Sequence, residues 1–463
     1  MSRFSIAIDA VVVVLVLLIV PACSPQLTEQ PHGQGLDGIW RTEGYGHIVT
    51  VAGAQARFWE VTAVSCLLGF DSGVETLDDA EIEAALIIES PSVRIDVLRG
   101  DSPDEKWLSI DGLASRRRLV RIGSLPAKCG EDRADDPVFD FDVFWQTFQE
   151  HYPFFEMKGV DWAAVRQQER SHVSSETTDQ ELFGILEGMI EPLEDAHTYL
   201  SAPEIDRNFH GRRPGPAWLD DAERAEVLEL IDNEYLESPS ESRCNDQMAI
   251  GELAGGVRYF RLSSFGNYGS DFRDGLDCLE AVLTDVLAEP ESMQGLVIDI
   301  RINPGGADPY GLAIASRLAS TEYLAYTKET RNDTENPDGW SAGQPSMVSP
   351  REGAGFTGPV VLLTGPFSVS AAETFTMALM GRTPRVTRIG QTTQGVFSDV
   401  LGRTLPNGWS FGLPNERFLT GDGRSFDGLG IEPDIEIRVF APEDLAAGRD
   451  LALEQAMEVL ALP

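Results

Sequence analysis

The rhythm of apolar and polar positions changes several times along the chain. An unbroken apolar run spans Ala10 to Val20. From 36 to 125 the apolar residues alternate in short stretches such as "HIVTVAG", "ARFWEVTAVSCLL", "VRIDVLRG", "KWLSIDG" and "RRLVRIG", broken by Gly and Asp. Alternation of that length predicts a small all-β domain, an antiparallel barrel or sandwich. From 136 to 205 the period lengthens to that of a helix. In "DQELFGILEGMIEPLED", Leu182, Ile185, Leu186, Met189, Ile190 and Leu193 fall on one stripe. Thr178 and Glu181 supply a capping box at its start. From 206 to 440 strand-like runs ("GVRYFRL", "GLVIDIR", "PVVLLT", "RVTRIG") alternate with helical ones ("DFRDGLDCLEAVLTDVLAE", "AAETFTMALMG"), which predicts a sheet with helices on its faces. Residues 441–463 read as a C-terminal helix. The expected fold class is therefore multidomain α+β, ending in an α/β core.

Composition narrows the partners. The 463 residues carry 36 Lys+Arg against 75 Asp+Glu, a formal charge of −39. A chain so acidic is repelled by nucleic acid and by anionic lipid surfaces. Apolar content of 42% supports real cores.

The first apolar run is shorter than the roughly 20 residues that cross a bilayer. Behind Arg3, and followed by Val20-Pro21-Ala22-Cys23, it resembles a bacterial lipoprotein signal. Residues 1–22 would then be removed and lipid attached at Cys23, with 23–35 as a tether. The expectation is an exported protein on the periplasmic side of a membrane, held through that anchor. Cys66, Cys129, Cys244 and Cys278 remain, an even count that suits two disulfides in an oxidising compartment. Sequence does not fix their pairing, although joining neighbours would keep each bridge inside one domain. No two cysteines stand at metal-ligand spacing, and neither a metal nor an organic cofactor is indicated.

Two short stretches can carry chemistry. "GPFSVSAAETF" places Ser370 between a strand and a helix, where unpaired amides and the helix dipole favour an activated oxygen or an oxyanion. Ser370-Ala-Ala-Glu373 is equally a plain capping box. In "DIRINPGGADPYG" a buried strand ends in Pro304-Gly305-Gly306, a turn that could offer a second oxyanion donor. "EDAHTYL" puts His197 just beyond a helix end, where a histidine is also at home for dipole reasons alone.

Taken in order, "LEDAHTYL", "GLVIDIRINPGGAD", "GPVVLLTGPFSVSAAETF", "RIGQTTQGVFSD" and "DGRSFDGLGIEPDIEI" resemble the C-terminal-processing (tail-specific) serine peptidases. The resemblance implies a ClpP/crotonase-like core, Ser370 as nucleophile, and Ala371 with Gly305 and Gly306 as oxyanion donors. The larger branch of that family takes its base from a lysine, but Val396 stands at that position and the chain has no lysine after Lys328. The branch that resembles tricorn protease and the interphotoreceptor retinoid-binding proteins uses an upstream histidine, here His197. An acid near the end of the core orients that histidine. The matching residue is Asp427, where the branch carries a glutamate. The implied function is a serine peptidase acting on peptides or unfolded proteins. The alternative is a non-catalytic module that holds an apolar ligand on the same fold.

Overall fold

The computed structural model describes residues 35–461, apart from 78, 80, 89–92, 132–135, 217, 332–338 and 352–354. The expected signal, the lipidation site Cys23 and nearly all of the tether lie outside the described residues.

The alternating segment closes on itself. Eight antiparallel strands run from Gly38–Thr42 to Arg117–Ile122 in sequence order, and the first pairs with the last, Ile39 opposite Ile122. The result is a barrel rather than an open sandwich, and closure removes both sheet edges. Trp40, Val49, Phe58, Leu86, Val97 and Leu108 fill its interior. A disulfide, Cys66–Cys129, staples the fourth strand to the segment leaving the barrel.

Next come the helices Pro137–His151, Phe155–Lys158, Trp162–Glu169 and Asp179–Ile190. Asp136 caps the first, its carboxylate accepting the Val138 amide at 3.0 Å, with Pro137 in the first turn. The capping box expected of Thr178 and Glu181 is present. These helices do not form a separate layer. Tyr199–Ala202 pairs with Ser410–Pro414 far down the chain, in a four-stranded sheet completed by Arg207–His210 and Val400–Thr404. The expected division at 205/206 falls inside that sheet. Phe144, Phe148 and Leu186 share a core with Leu401, Trp409 and Phe411.

The α/β core is a seven-stranded sheet whose last five strands run parallel: Val257–Leu262, Gly295–Asp299, Val360–Thr364, Thr387–Gly390 and Ile435–Glu436. Side chains alternate between its faces, as strand geometry requires. Leu296, Ile298 and Leu362 pack under the helices Phe272–Val286, Asp308–Arg317 and Ala371–Met380. Val297, Val361 and Leu363 face the helices Asp221–Glu234 and Leu451–Ala461 on the other side. A second disulfide, Cys244–Cys278, ties this sheet's edge to the Phe272–Val286 helix.

The C-terminal segment is two helices, Pro442–Ala446 and Leu451–Ala461, rather than one. Gly448 takes φ +70° and ends the first, and Asp450 accepts the Leu453 amide to begin the second. Asp450 also pairs with Arg301, which chelates Asp299 at the end of its strand. That buried triad locks the strand end from which the candidate site grows.

Candidate active site

The turns that follow Gly295–Asp299 and Val360–Thr364 meet at the carboxyl ends of the two strands, where open parallel sheets generally bind ligands. The second turn holds two serines with different surroundings. Ser368 is wholly buried, and its hydroxyl bridges the Gly365 amide and the Ile300 carbonyl at 3.1 and 2.8 Å. It is a structural pin. Ser370 is half-buried, with φ 56° and ψ −119°, a left-handed conformation that costs a non-glycine residue on the order of 1–3 kcal/mol. Its amide donates to the Val396 carbonyl at 3.1 Å and holds the serine at the head of the Ala371–Met380 helix.

Glu373 does more than cap. Its carboxylate takes the Ser370 amide at 3.3 Å, but also the Thr393 hydroxyl at 2.6 Å and the Gly395 and Val396 amides at 2.5 and 2.8 Å. The capping pattern seen in sequence therefore works as a clasp, fastening the 393–396 loop to the serine turn. Burial lifts this carboxyl to about 7 despite four donors.

Gly305 and Gly306 occupy φ +105° and +138°. A side chain at Gly305 would stand 2.6 Å from Ser370 Cβ and 2.7 Å from the Val369 carbonyl. The glycine turn thus lies directly against the serine. Asn303 builds it, accepting the Gly305 amide at 2.8 Å and donating to the Leu262 carbonyl at 3.0 Å. The Gly305 amide is consumed by that bond. Gly306 bridges Phe265 in parallel register, with Phe265 bonded to the Gly305 carbonyl and the Ala307 amide. In such a ladder the middle residue's N–H points to the opposite side. The Gly306 amide is therefore directed away from Phe265.

His197 follows a short 3₁₀ turn, Glu191–Leu193, and precedes the strand Tyr199–Ala202. Asp195 accepts the His197 amide at 3.0 Å with one oxygen and the Tyr152 hydroxyl at 2.9 Å with the other. The ring is half-buried, and its Nδ1 is enclosed without a hydrogen bond. Burial lowers the imidazole below its usual 6.5, while the charges of Asp195 and Asp399 and the Ser398 carbonyl pull it back up. The same short loop therefore carries Val396, which bonds the Ser370 amide, and Ser398, which faces His197.

Asp427, expected to orient the imidazole, is bonded elsewhere. Its carboxylate takes the Ser425 hydroxyl at 2.7 Å, and the charges that act on it are those of Glu373 and Asp195. No Asp427–His197 hydrogen bond forms. Burial raises Asp427 to about 7.

Beneath the loop lies a cluster that the motifs did not disclose. Lys328, buried at 2% exposure, pairs with Asp399 and, at 3.0 Å, with Glu416. Glu416 takes the Asp399 amide at 3.1 Å and the hydroxyl of Tyr45, a barrel residue, at 2.7 Å. Asp308, buried beside Thr374, is raised to about 7 by burial and by Asp399. The chain's last lysine is a structural cation here, and Val396, where the resemblance would put a lysine base, accepts the Ser370 amide through its carbonyl. The cysteines pair as neighbours. Among the described residues, no group of His, Cys, Asp and Glu is arranged to hold a metal ion, and no helix is long and apolar enough to cross a membrane.

Residues 256–437 match peptidase family S41, and residues 134–191 match the tricorn protease C1 domain. A carboxy-terminal-processing protease of Bartonella bacilliformis (strain ATCC 35685 / KC583 / Herrer 020/F12,63) is 26% identical over 207 residues. Those residues are 44% of each chain, so the match spans less than half of that relative's length. A crystal structure of a candidate peptidase from Parabacteroides merdae ATCC 43184 aligns with TM-score 0.59 and 26% identity over 71% of this chain and 98% of that one. Mature CPAF complexed with lactacystin aligns with TM-score 0.51 at 12% identity, over 70% and 97%, a likeness of fold. The likeness to C-terminal-processing peptidases expected from the motifs, and the α/β core it implied, are both found.

Proposed function

We propose that this chain, whose core is that of peptidase family S41, is a serine peptidase that cleaves peptides or unfolded proteins through an acyl-enzyme. The observation that carries the reading is the setting of Ser370. A strained, half-exposed serine at a helix start is pressed against Gly305 and held by the loop that also faces His197.

The steps follow from that placement. His197, kept neutral at pH 7 by its burial, takes the Ser370 hydroxyl proton as Oγ attacks the scissile carbonyl carbon. Negative charge gathers on the carbonyl oxygen, where the amides of Ala371 and Gly306 receive it. On collapse the C–N bond breaks and His197 returns its proton to the leaving amine, leaving an ester on Ser370. Water then attacks the ester with the same histidine as base, the bond between the acyl carbon and Ser370 Oγ breaks, His197 returns its proton to Oγ, and the acid product departs. Asp195 fixes the His197 backbone, and together with Asp399 it supplies the negative charge that steadies the imidazolium.

Export with a lipid anchor at Cys23 belongs to the same proposal, and the two disulfides suit an oxidising compartment. The test is hydrolysis of an unfolded protein such as reduced, alkylated casein. Ser370→Ala and His197→Ala should each lower the rate by at least about 10³-fold, as loss of such a pair does elsewhere. Activity that persists in both folded variants rejects the assignment.

A further inference from the structure

Six large apolar side chains are exposed among the described residues: Leu68, Val120, Met157, Trp218, Met347 and Leu429. Single exposed hydrophobics need no explanation. Three of these, however, converge on the candidate site from separate parts of the chain.

Trp218, 42% exposed, lies on Phe367 with ring centroids 4.9 Å apart. Phe367 is buried in the serine turn itself, three residues before Ser370. Leu429 is 69% exposed, on the turn between Gly428 and Gly430. Gly428 donates its amide to the Gly395 carbonyl, so this turn lies on the loop that Glu373 clasps to the serine. Met157, 51% exposed, covers Gly428 from the helical side, its sulfur 2.5 Å from where a Cβ would stand. Arg213 lies over Gly395 and brings the segment that carries Trp218 to the same turn.

The turn beneath is glycine backbone with the Arg213 guanidinium over Gly395, and the three exposed apolar side chains stand around it. We propose that Trp218, Leu429 and Met157 form a rim that receives a large apolar side chain, aromatic or branched aliphatic, of the peptide being cut, and so set the cleavage preference. The proposal rests on the peptidase reading above. The occupant is the substrate because the rim is continuous with the turn that carries Ser370: Trp218 reaches it through Phe367, and Leu429 through Gly428 and Gly395. A large apolar residue there covers surface now open to water, whereas a small or charged one leaves it wet. Methionine suits such a border, since its flexible thioether adapts to differing shapes.

The experiment compares kcat/KM on pairs of peptides that differ only by Phe or Ala at one position near the scissile bond. Wild-type protein, Trp218→Ala, Trp218→Phe and Leu429→Ala are measured, and the wild type is first tested for reaction with a fluorophosphonate. The wild type should prefer Phe at one position. Trp218→Ala and Leu429→Ala should each cut that Phe:Ala ratio by about tenfold, the scale on which apolar pockets discriminate. Trp218→Phe should keep most of it. Because Leu429 is mostly in water, its variant leaves the core intact and decides the question if Trp218→Ala fails to fold. A wild type that labels, with the Phe:Ala ratio unchanged in Leu429→Ala and in folded Trp218→Ala, overturns the rim alone. A folded wild type that neither labels nor cuts overturns the peptidase reading and the rim with it.

Discussion

At the scale of single residues, the site depends on atoms that are missing as much as on those present. Gly305 gives up a side chain so that Ser370 can stand beside it. Gly305→Ala should leave a folded protein, since the clash is confined to the turn, but it should lower peptide hydrolysis by at least about 10²-fold as the serine and its oxyanion amides move apart. Parallel circular dichroism and kinetics check both halves of that expectation. The family resemblance points to Ser370, and the structure separates it from its neighbour Ser368. Ser368 spends its hydroxyl on two backbone groups, whereas Ser370 is strained and open. Asp427 is expected from the pattern beside His197, but a pattern places a residue in order without telling where its side chain bonds, and its carboxylate takes the Ser425 hydroxyl. Glu373 was read as a cap because S-x-x-E is a cap in most helices, and its extra partners at Thr393, Gly395 and Val396 are contacts that no local spacing encodes.

Among the elements, the 393–399 loop is the joint of the molecule. Glu373 holds one end of it to the serine turn, while Lys328, Asp399 and Glu416 hold the other. Through Tyr45 that second grip reaches into the barrel. Tyr45→Phe leaves one oxygen of a buried carboxylate without its donor, which should cost about 1–3 kcal/mol and lower the thermal midpoint by several degrees. An unchanged midpoint would mean that this bond adds nothing to the others that join the barrel to the rest of the chain, such as Thr404 to Glu60 and Ala63 to Glu150. The barrel strands and the Asp179–Ile190 helix were legible because period 2 and period 3.6 are local signals. The pairing of Tyr199–Ala202 with Ser410–Pro414 was not, because both strands are short and about 200 positions of chain separate them. Nor was Lys328, whose carboxylate partner Asp399 lies 71 positions away.

Over the whole molecule, an acidic chain has buried carboxyls that titrate near neutrality around its site. Asp427, Glu373 and Asp308 are raised to about 7. A carboxyl raised on folding binds its proton more tightly in the native state, so its stabilising effect is complete below its ordinary value and is lost as pH rises towards 7. Moving Asp427 from 3.8 to about 7 is worth on the order of 4 kcal/mol over that window. His47 and His151 are lowered well below 6.5 by burial and act in the opposite direction, so the wild-type profile blends the two. The difference between proteins isolates the carboxyl: Asp427→Asn should gain stability relative to wild type between pH 5 and pH 8, measured by thermal denaturation, and a constant difference would place Asp427 outside the titrating set. What the fold accomplishes at this scale is to bring Ser370 and His197, which belong to different segments of the chain, to one loop. Fluorophosphonate labelling of the intact protein, with the adduct located by peptide mass spectrometry, tests that most directly. An adduct on Ser370 that disappears in folded His197→Ala is expected; an adduct on another residue, or one on Ser370 that forms as fast without the histidine, rules out the Ser370–His197 pair.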